Sequence, residues 1–360
     1  MKQDIRKLTA AQLKDWLAQQ GEPGFRAKQV HEWLWKKSAQ SFEQMTNLSL
    51  PMRELLGAHF EIRPLTVDQQ QRSNDGTIKS SFRLFDGNLV EGVLIPALRN
   101  DDERGDRSAG AGPSNDRMTA CVSSQVGCSL TCKFCATGYM DRKRNLDAAE
   151  IYDQVVAIDR QAKENYESPL SNIVYMGMGE PLLNYKNVLE SVDRITSPDG
   201  LGMSPKRITV STAGIAKMIR QLGDDAVKFN LALSLHAAND LKRDQIMPIN
   251  ESNTLAALGD ALGYFYKKTG TRITFEYILF YNFNDTQQDA QELWKFTKRV
   301  PAKVNIIEYN PIAEANFKNT DPQTLDRFAG FLEDKGVTVN VRRSRGKDID
   351  AACGQLAGKK

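Results

Sequence analysis

Apolar residues near the N-terminus, up to about residue 65, recur at the spacing of amphipathic helices. Thr9 and Gln12 fit a capping box, in which two side chains satisfy backbone groups at a helix start. A second helix would have one apolar side at Val30, Trp33 and Leu34. Pro51 suits the first turn of a third helix. The pattern predicts a small helical domain, and its arginines and lysines leave open a solvated bundle or an RNA-docking module.

The pattern changes to that of strands between residues 77 and 96. Two strand-like segments, "TIKSSFRLF" and "LVEGVLIPA", flank the turn signal "DGN", which predicts a β-hairpin. Residues 99–117 form a charged segment rich in Gly and Ser, and this composition predicts a mobile polar loop. We assign no function to that loop.

Strand-like and helix-like segments alternate from residue 119 onward. The strand-like segments are "TACVSS", "NIVYMG", "RITVST", "FNLALSLH", "TFEYILF", "KVNIIEY" and "VTVNVRR". Helical periodicity covers residues 147–164, 185–197, 214–222, 254–268, 285–299 and 322–335. Repeated βα units predict a parallel sheet covered by helices, either a partial barrel or an open doubly wound sheet. Both folds gather ligands at the carboxyl ends of their strands.

Composition narrows the class of protein. Of the 360 residues, 26% are charged and 41% are hydrophobic, as in an ordinary globular protein. The first residues have no apolar core and no apolar run is membrane-length, so we expect neither a secretory signal nor a membrane span. Because the net charge is only +3, a nucleic-acid site must be a local patch, and the basic runs 140–145 and 342–347 are candidates.

Three of the five cysteines lie within eight residues, in the segment "GCSLTCKFCATG". They are Cys128, Cys132 and Cys135. This arrangement is atypical of a disulfide framework and indicates ligands or catalysts in a reducing cytosol. Three thiolates can hold a [4Fe-4S] cluster and leave one iron open to another molecule. A zinc site would need a fourth ligand, such as Cys121, Cys353 or His236, and the second ligand pair of a zinc ribbon is missing.

Candidate ligand-binding residues lie at the ends of several predicted strands. They are Gly179 and Glu180 in "MGMGEP", Ser211 in "VSTAG", Ser234, Leu235 and His236 in "SLH", and Asn310 in "EYNP". A glycine lets the backbone approach a ligand closely, and a carboxylate can accept a hydrogen bond from an ammonium group. Each residue taken singly is more often a structural polar group at a strand end than a ligand contact.

The cysteine spacing, with Phe134 before the last thiol, resembles the signature of the radical S-adenosylmethionine (SAM) superfamily. In that superfamily SAM chelates the open iron, and an electron from the cluster cleaves SAM to a radical. The segments "CVSSQVGCSLTCKFCATG", "GMGEPLLN", "STAG", "LSLHAAND" and "DIDAACGQLAG" together resemble the RlmN family. The resemblance implies an α/β fold, a radical SAM partial (β/α) barrel over 119–345. It adds an N-terminal helical RNA-docking domain over 1–70, a β-hairpin and loop over 71–118, and a tail over 346–360.

RlmN enzymes methylate C2 of an adenine in the peptidyl-transferase centre of 23S rRNA and of the adenine 3′ of the anticodon in tRNA. The resemblance implies that Cys353 takes a methyl group from one SAM and then joins the RNA base through that carbon, with a second SAM supplying the radical. It implies that Glu91 accepts the C2 proton and that Cys121 displaces Cys353, leaving a Cys121–Cys353 disulfide. A [4Fe-4S] cluster and SAM would be the cofactors, and the strand-end residues would contact SAM.

The same resemblance implies a monomeric cytoplasmic enzyme that binds 23S rRNA and tRNA, uses an external electron donor and binds no membrane. Two alternatives stay open. The related Cfr family uses the same motifs to methylate C8 of the same rRNA adenine, although the "GQLAG" run favours RlmN. The other alternative is a non-catalytic RNA-binding module with a structural metal.

Overall fold

The computed structural model describes residues 2–97 and 117–357. Its first helices are α1 (Ala10–Gln19), α2 (Phe25–His31) and α3 (Leu50–His59). Thr9 and Gln12 form the predicted capping box, since each side chain accepts a hydrogen bond from the other residue's backbone N–H. The chain therefore begins with the helices that its apolar pattern predicts.

The apolar side of the second helix differs in one position from the prediction. Val30 and Leu34 are buried, but Trp33 is half-buried and Trp35 enters the core instead. The segment Glu32–Lys36 is a π-helical turn. Because a π turn has wider spacing than an α turn, it rotates the following side chains relative to a 3.6-residue pattern.

Two short strands close the N-terminal region, and the remaining strands build the body of the molecule. The short strands are β1 (Gln3–Asp4) and β2 (Phe60–Glu61), which pair in parallel. The remaining strands are β3 (Thr66–Arg72), β4 (Ile78–Arg83), β5 (Leu89–Ala97), β6 (Arg117–Cys121), β7 (Gln125–Val126), β8 (Arg144–Asn145), β9 (Asn172–Tyr175), β10 (Ile208–Thr212), β11 (Asn230–Ser234), β12 (Ile273–Ile278), β13 (Ala302–Ile307) and β14 (Thr338–Arg342). The later helices are α4 (Ala148–Tyr166), α5 (Tyr185–Thr196), α6 (Ala216–Asp224), α7 (Asp240–Ile246), α8 (Leu255–Thr269), α9 (Gln287–Thr297) and α10 (Pro322–Asp334).

The main sheet of the described chain runs in the order β14-β13-β12-β11-β10-β9-β6-β5-β4-β3. Within this sheet β6 pairs with β9, and from β9 to β14 the strands follow one another in chain order, all of them parallel. The short strands β7 and β8 pair separately. A doubly wound sheet would reverse its strand order at a switch point, and no reversal occurs here. The sheet is therefore wound in one direction, as a partial barrel, with β3 and β14 at its edges.

The predicted hairpin is confirmed, because β4 and β5 pair antiparallel and β5 joins the barrel through β6. The structure adds β3, which the sequence pattern did not predict. Every residue of β3 is exposed, so its sequence "TVDQQQR" has no alternation of buried and exposed positions. The predicted loop over 99–117 lies outside the described residues except for Arg117, which begins β6. None of the described helices is long and apolar enough to cross a membrane.

Arg6 joins the N-terminal region to α4. Its buried guanidinium lies 2.9 Å from the Asp4 carboxylate and 2.8 Å from that of Asp153. Burial disfavours the charge of Arg6, but the Asp153 and Asp4 carboxylates outweigh it and hold the pKa of Arg6 above its ordinary value. Burial raises the pKa of Asp153. The Arg6 guanidinium therefore offsets the cost of burying the charged Asp153 carboxylate.

We expect Arg6→Met to lower the free energy of unfolding by about 3–5 kcal/mol, because it leaves buried carboxylates without their partner. Arg83→Met, which breaks an exposed ion pair with Asp68, should cost at most about 1 kcal/mol. Chemical denaturation of the two variants measures both losses. Equal losses would contradict the role of Arg6 as a buried anchor.

Candidate active site

A cavity opens at the carboxyl ends of the parallel strands, the end at which parallel α/β barrels bind their ligands. The predicted residues that line it are Cys128, Cys132, Cys135, Gly179, Glu180, Ser211, Ser234, His236 and Cys353. The expected convergence at this end of the barrel is therefore present. Leu235, Asn310, Cys121 and Glu91 are not among the lining residues.

The loop with the three clustered cysteines begins after β7 and is folded back on itself. Gly127 has φ +73°, and a Cβ there would lie 2.2 Å from the Asp141 carbonyl oxygen, so only glycine fits. The Lys133 N–H donates to the Ile246 carbonyl at 3.0 Å and attaches the loop to α7. Phe134 packs in an apolar cluster under the loop. The thiols are thus held by backbone contacts and packing.

The three thiols suit a cluster better than a single ion. Burial raises the pKa of Cys128 to about 11 and also raises the pKa values of Cys132 and Cys135. Such thiols ionise when a bound metal offsets the charge. Within the described residues, no three His, Cys, Asp or Glu side chains converge closely enough for one metal ion, which disfavours zinc. A cubane binds each thiolate through a different iron, so the three-sulfur set fits a [4Fe-4S] cluster.

Glu180 presents a carboxylate that the backbone holds in place. Its Oε2 accepts a hydrogen bond from Ala213 N–H at 2.8 Å, and its Oε1 accepts one from Leu182 N–H at 3.0 Å. Burial raises the pKa of Glu180. Gly179 has φ +93°, and a Cβ there would lie 2.4 Å from the Gln125 Cβ. The turn after β9 therefore requires glycine and positions an acceptor in the cavity wall.

His236 is a neutral hydrogen-bonding group. Its Nδ1 lies 3.1 Å from the Ile278 N–H, which donates to it, so the ring proton is on Nε2. Burial, followed by the nearby Arg243 charge, lowers the pKa of His236 to about 3. Ser211 and Ser234 lie beside each other in the cavity wall, with 3.3 Å between their hydroxyl oxygens. The three residues offer donors for a polar ligand.

Leu235 and Asn310 do not line the cavity. Leu235 is buried, and its N–H donates to the Glu276 carbonyl at 3.0 Å. The Asn310 amide donates to the Cys353 carbonyl at 3.2 Å, and its own Oδ1 is buried without a partner. Asn310 therefore holds the tail in this structure, and direct contact of either residue with SAM stays a prediction.

Cys353 and Cys121 are the two cysteines outside the clustered loop. Cys353 is an exposed residue at the cavity. Desolvation of its thiol by the surrounding protein raises the pKa of Cys353, and the Arg342 guanidinium opposes that shift. Cys121 is buried at the end of β6, where burial and the nearby Cys353 thiol raise its pKa. All five cysteines are free and none are at disulfide distance. The predicted Cys121–Cys353 disulfide is thus absent from this structure, because the thiols lie too far apart.

Glu91 is buried in β5. Its Oε2 accepts a hydrogen bond from Ala357 N–H at 2.9 Å. Lys79 Nζ lies 3.8 Å from its Oε1. In this structure the Glu91 carboxylate therefore contacts the C-terminal tail.

Two charged residues were not predicted to line the cavity: Glu276 was not singled out, and Arg342 was named only within the basic run 342–347. Glu276 is buried in β12; its Oε1 accepts a hydrogen bond from Asn305, whereas its Oε2 has no hydrogen-bond partner. The Arg342 guanidinium lies 3.8 Å from Glu276. The sequence signal that could have identified Glu276 is a glutamate within the buried strand "ITFEYI", because glutamate is rarely buried unless it is paired. The basic runs are partly engaged as well, since Arg144 pairs with Asp86 and Glu150.

The comparisons with known proteins agree along nearly the whole chain. Residues 3–62 match the ribosomal RNA large subunit methyltransferase N-terminal domain, and residues 122–293 match the radical SAM superfamily. The chain is 62% identical over 356 residues to the probable dual-specificity RNA methyltransferase RlmN of Cytophaga hutchinsonii, covering 99% of this chain and 93% of that protein. It is 43% identical to the dual-specificity RNA methyltransferase RlmN of Geotalea uraniireducens, covering 99% of this chain and 97% of that protein.

A solved methyltransferase structure also resembles this chain over nearly its whole length. The crystal structure of a radical SAM methyltransferase from Sphaerobacter thermophilus matches this fold with a TM-score of 0.89 and 37% identity, covering 99% of this chain and 100% of that one. The predicted radical SAM fold is confirmed, and its cofactors are a [4Fe-4S] cluster and SAM. The chain belongs to the RlmN family of dual-specificity RNA methyltransferases, which act on rRNA and tRNA.

Proposed function

We propose that this enzyme methylates C2 of an adenine in the peptidyl-transferase centre of 23S rRNA and of the adenine 3′ of the anticodon in tRNA, with Cys353 as the methyl acceptor. The observation that carries the proposal is that Cys353 lines the same cavity as Cys128, Cys132 and Cys135. C2 of adenine is an electron-poor carbon that cannot attack a methyl donor directly. A thiolate collects the methyl group instead, because it is a strong nucleophile.

Separate parts of the cavity wall would hold the two cofactors. The Cys128, Cys132 and Cys135 thiolates would bind the cluster, and Glu180 and His236 would offer hydrogen-bonding groups to SAM. When bound, the cluster and SAM supply the methyl group and the radical chemistry. The apolar cluster around Phe134 covers one side of the cysteine loop and limits the access of water to it.

The protein side chains then act in sequence. Cys353 Sγ takes the methyl group and later carries the carbon that becomes bonded to C2. After the adduct has returned one electron to the cluster, Glu91 accepts the C2 proton. The Cys121 thiolate then attacks Cys353 Sγ, the bond from that sulfur to the methylene carbon breaks, and the carbon takes up a proton, which releases the methylated base and leaves a transient disulfide. Glu91 accepts a hydrogen bond from Ala357 N–H, and Cys121 lies outside the cavity lining. Proton transfer to Glu91 and attack by Cys121 therefore both require the tail to move from its present position.

The remaining requirements of the proposal concern partners. The disulfide must be reduced after each turnover, and the cluster needs an external electron donor. The basic residues that are not engaged inside the protein would contact RNA phosphates, so binding should weaken with salt. We propose that the enzyme acts as a monomer in the cytoplasm.

The product nucleoside tests the proposed function. Cluster-loaded enzyme, SAM, a reductant and rRNA or tRNA should yield 2-methyladenosine, identified by mass spectrometry of the digested RNA. Cys353→Ala should give no methylated adenosine while it retains its iron, because the acceptor alone is lost. Formation of 8-methyladenosine would establish the Cfr-type reaction instead, and full activity of Cys353→Ala would rule out the acceptor role.

A further inference from the structure

The turn between β3 and β4, residues 73–77, contacts the tail that carries Cys353. Both Asp348 carboxylate oxygens accept hydrogen bonds from this turn, one from Ser73 Oγ and one from Asn74 N–H at 3.1 Å. In return, Gly346 N–H donates to Asp75 Oδ2 at 2.8 Å. The turn and the tail therefore exchange hydrogen bonds in both directions across more than 270 residues of chain.

The contact between the β3–β4 turn and the tail is closely packed as well as hydrogen-bonded. Gly346 has φ +66°, and a Cβ there would lie 2.7 Å from Ala351 Cβ and 2.9 Å from Thr77 Cγ2. Asp75 is oriented by Thr77 N–H, which donates to its Oδ1 at 2.9 Å. Lys79, on β4, donates to the Asp350 carbonyl at 3.4 Å. The tail fits the hairpin closely at a position that only glycine can occupy.

The other side of Cys353 is attached to the cysteine loop. Gly354 O accepts a hydrogen bond from Ala136 N–H at 2.7 Å, and Leu356 O accepts one from Thr137 Oγ1. Cys353 therefore lies between two attachments, one to the cysteine loop and one to the β3–β4 turn. The second attachment fixes where the tail begins its approach to the cavity.

We propose that the β3–β4 turn is a docking clamp for the tail, in which Asp75 and Asp348 are positioning residues that hold Cys353 at the cavity. The inference rests on the proposed function, in which Cys353 accepts the methyl group. Catalysis is sensitive to small displacements of a reacting group, so Cys353 in a released tail would be methylated slowly. A turn that only stabilised the fold would instead change the unfolding temperature and leave Cys353 chemistry intact.

The test uses the full chain, loaded with its cluster, as Asp348→Ala and Asp75→Ala. Losing hydrogen bonds worth about 1.4 kcal/mol together corresponds to about a tenfold shift towards the released tail. We expect backbone hydrogen exchange in residues 346–351 to rise by up to that factor. The rate of Cys353 methylation, measured by peptide mass spectrometry, should fall in proportion to the docked fraction of the tail. Iron content and unfolding temperature should match the wild type.

Asp68→Ala is the matched control. Asp68 is an exposed aspartate of β3 that accepts a hydrogen bond from Arg83, on the neighbouring strand β4. In Asp68→Ala, hydrogen exchange in residues 346–351 and the rate of Cys353 methylation should equal those of the wild type. Ser73→Ala is the milder second variant if an aspartate variant folds poorly; it removes one donor to Asp348 and should give a smaller change of the same kind.

The two proposals fail in different ways. Wild-type enzyme that never carries a methyl group on Cys353 would overturn the proposed function, while tail exchange in the variants would still decide whether the clamp exists. Wild-type rates of exchange and methylation in Asp348→Ala, Asp75→Ala and Ser73→Ala would overturn the clamp. The clamp is also overturned if Asp68→Ala changes both rates as much as Asp348→Ala does.

Discussion

Replacing Cys128, Cys132 and Cys135 together with Ala should abolish cluster binding and all SAM cleavage. The reason is that the three thiols are the clustered sulfur donors at the cavity, and a cluster with no thiolate ligands does not stay bound. Iron and sulfide analysis after anaerobic reconstitution, with release of deoxyadenosine as the second readout, measures the effect.

The two other cysteines provide the controls for that experiment. Cys121→Ala and Cys353→Ala each remove one thiol from the same molecule, and both should retain the iron and sulfide content of the wild type. A triple variant that still binds about four irons per chain would show that other residues hold the cluster.

Cys121→Ala should accumulate a covalent protein–RNA species. Methyl transfer to Cys353 and joining to the base do not use Cys121, so both should proceed in the variant. Without the second thiol, no group displaces Cys353 from the carbon, and the reaction stops at the adduct. Denaturing electrophoresis with labelled RNA detects the species, which should need SAM and the cluster.

A purely structural role for Cys121 predicts a different result. Removing a small buried side chain would cost on the order of 1 kcal/mol of stability and reduce product only in proportion. The double variant Cys121→Ala/Cys353→Ala should form no adduct, because the joining thiol is missing. Near-normal product from folded Cys121→Ala without any adduct would return Cys121 to a packing role.

The sequence predicted most of the cavity because its residues follow parallel strands. Glu180, Ser211 and Ser234 come from different strands, yet the carboxyl ends of those strands meet at one end of the barrel. The choice between a partial barrel and a doubly wound sheet needed the structure, since strand order is not visible in local periodicity. The domain boundaries stay a prediction.

The contacts around the tail could not be predicted from the sequence. Glu91 bonds to Ala357, and Asp75 bonds to Gly346, each across more than 260 residues of chain. No spacing rule connects such positions, because they meet only after the sheet has formed. β3 was missed for the opposite reason: all its residues are exposed, so it has no apolar pattern to detect.

The most direct test of the account follows one carbon atom from Cys353 to RNA. Enzyme whose Cys353 carries a ¹³C-labelled methyl group is freed of labelled SAM and then given unlabelled SAM, reductant and RNA for one turnover. Mass spectrometry of the digested RNA should find the ¹³C in the methyl group at C2 of adenine. Unlabelled 2-methyladenosine, with the ¹³C still on the Cys353 peptide, would contradict transfer through Cys353.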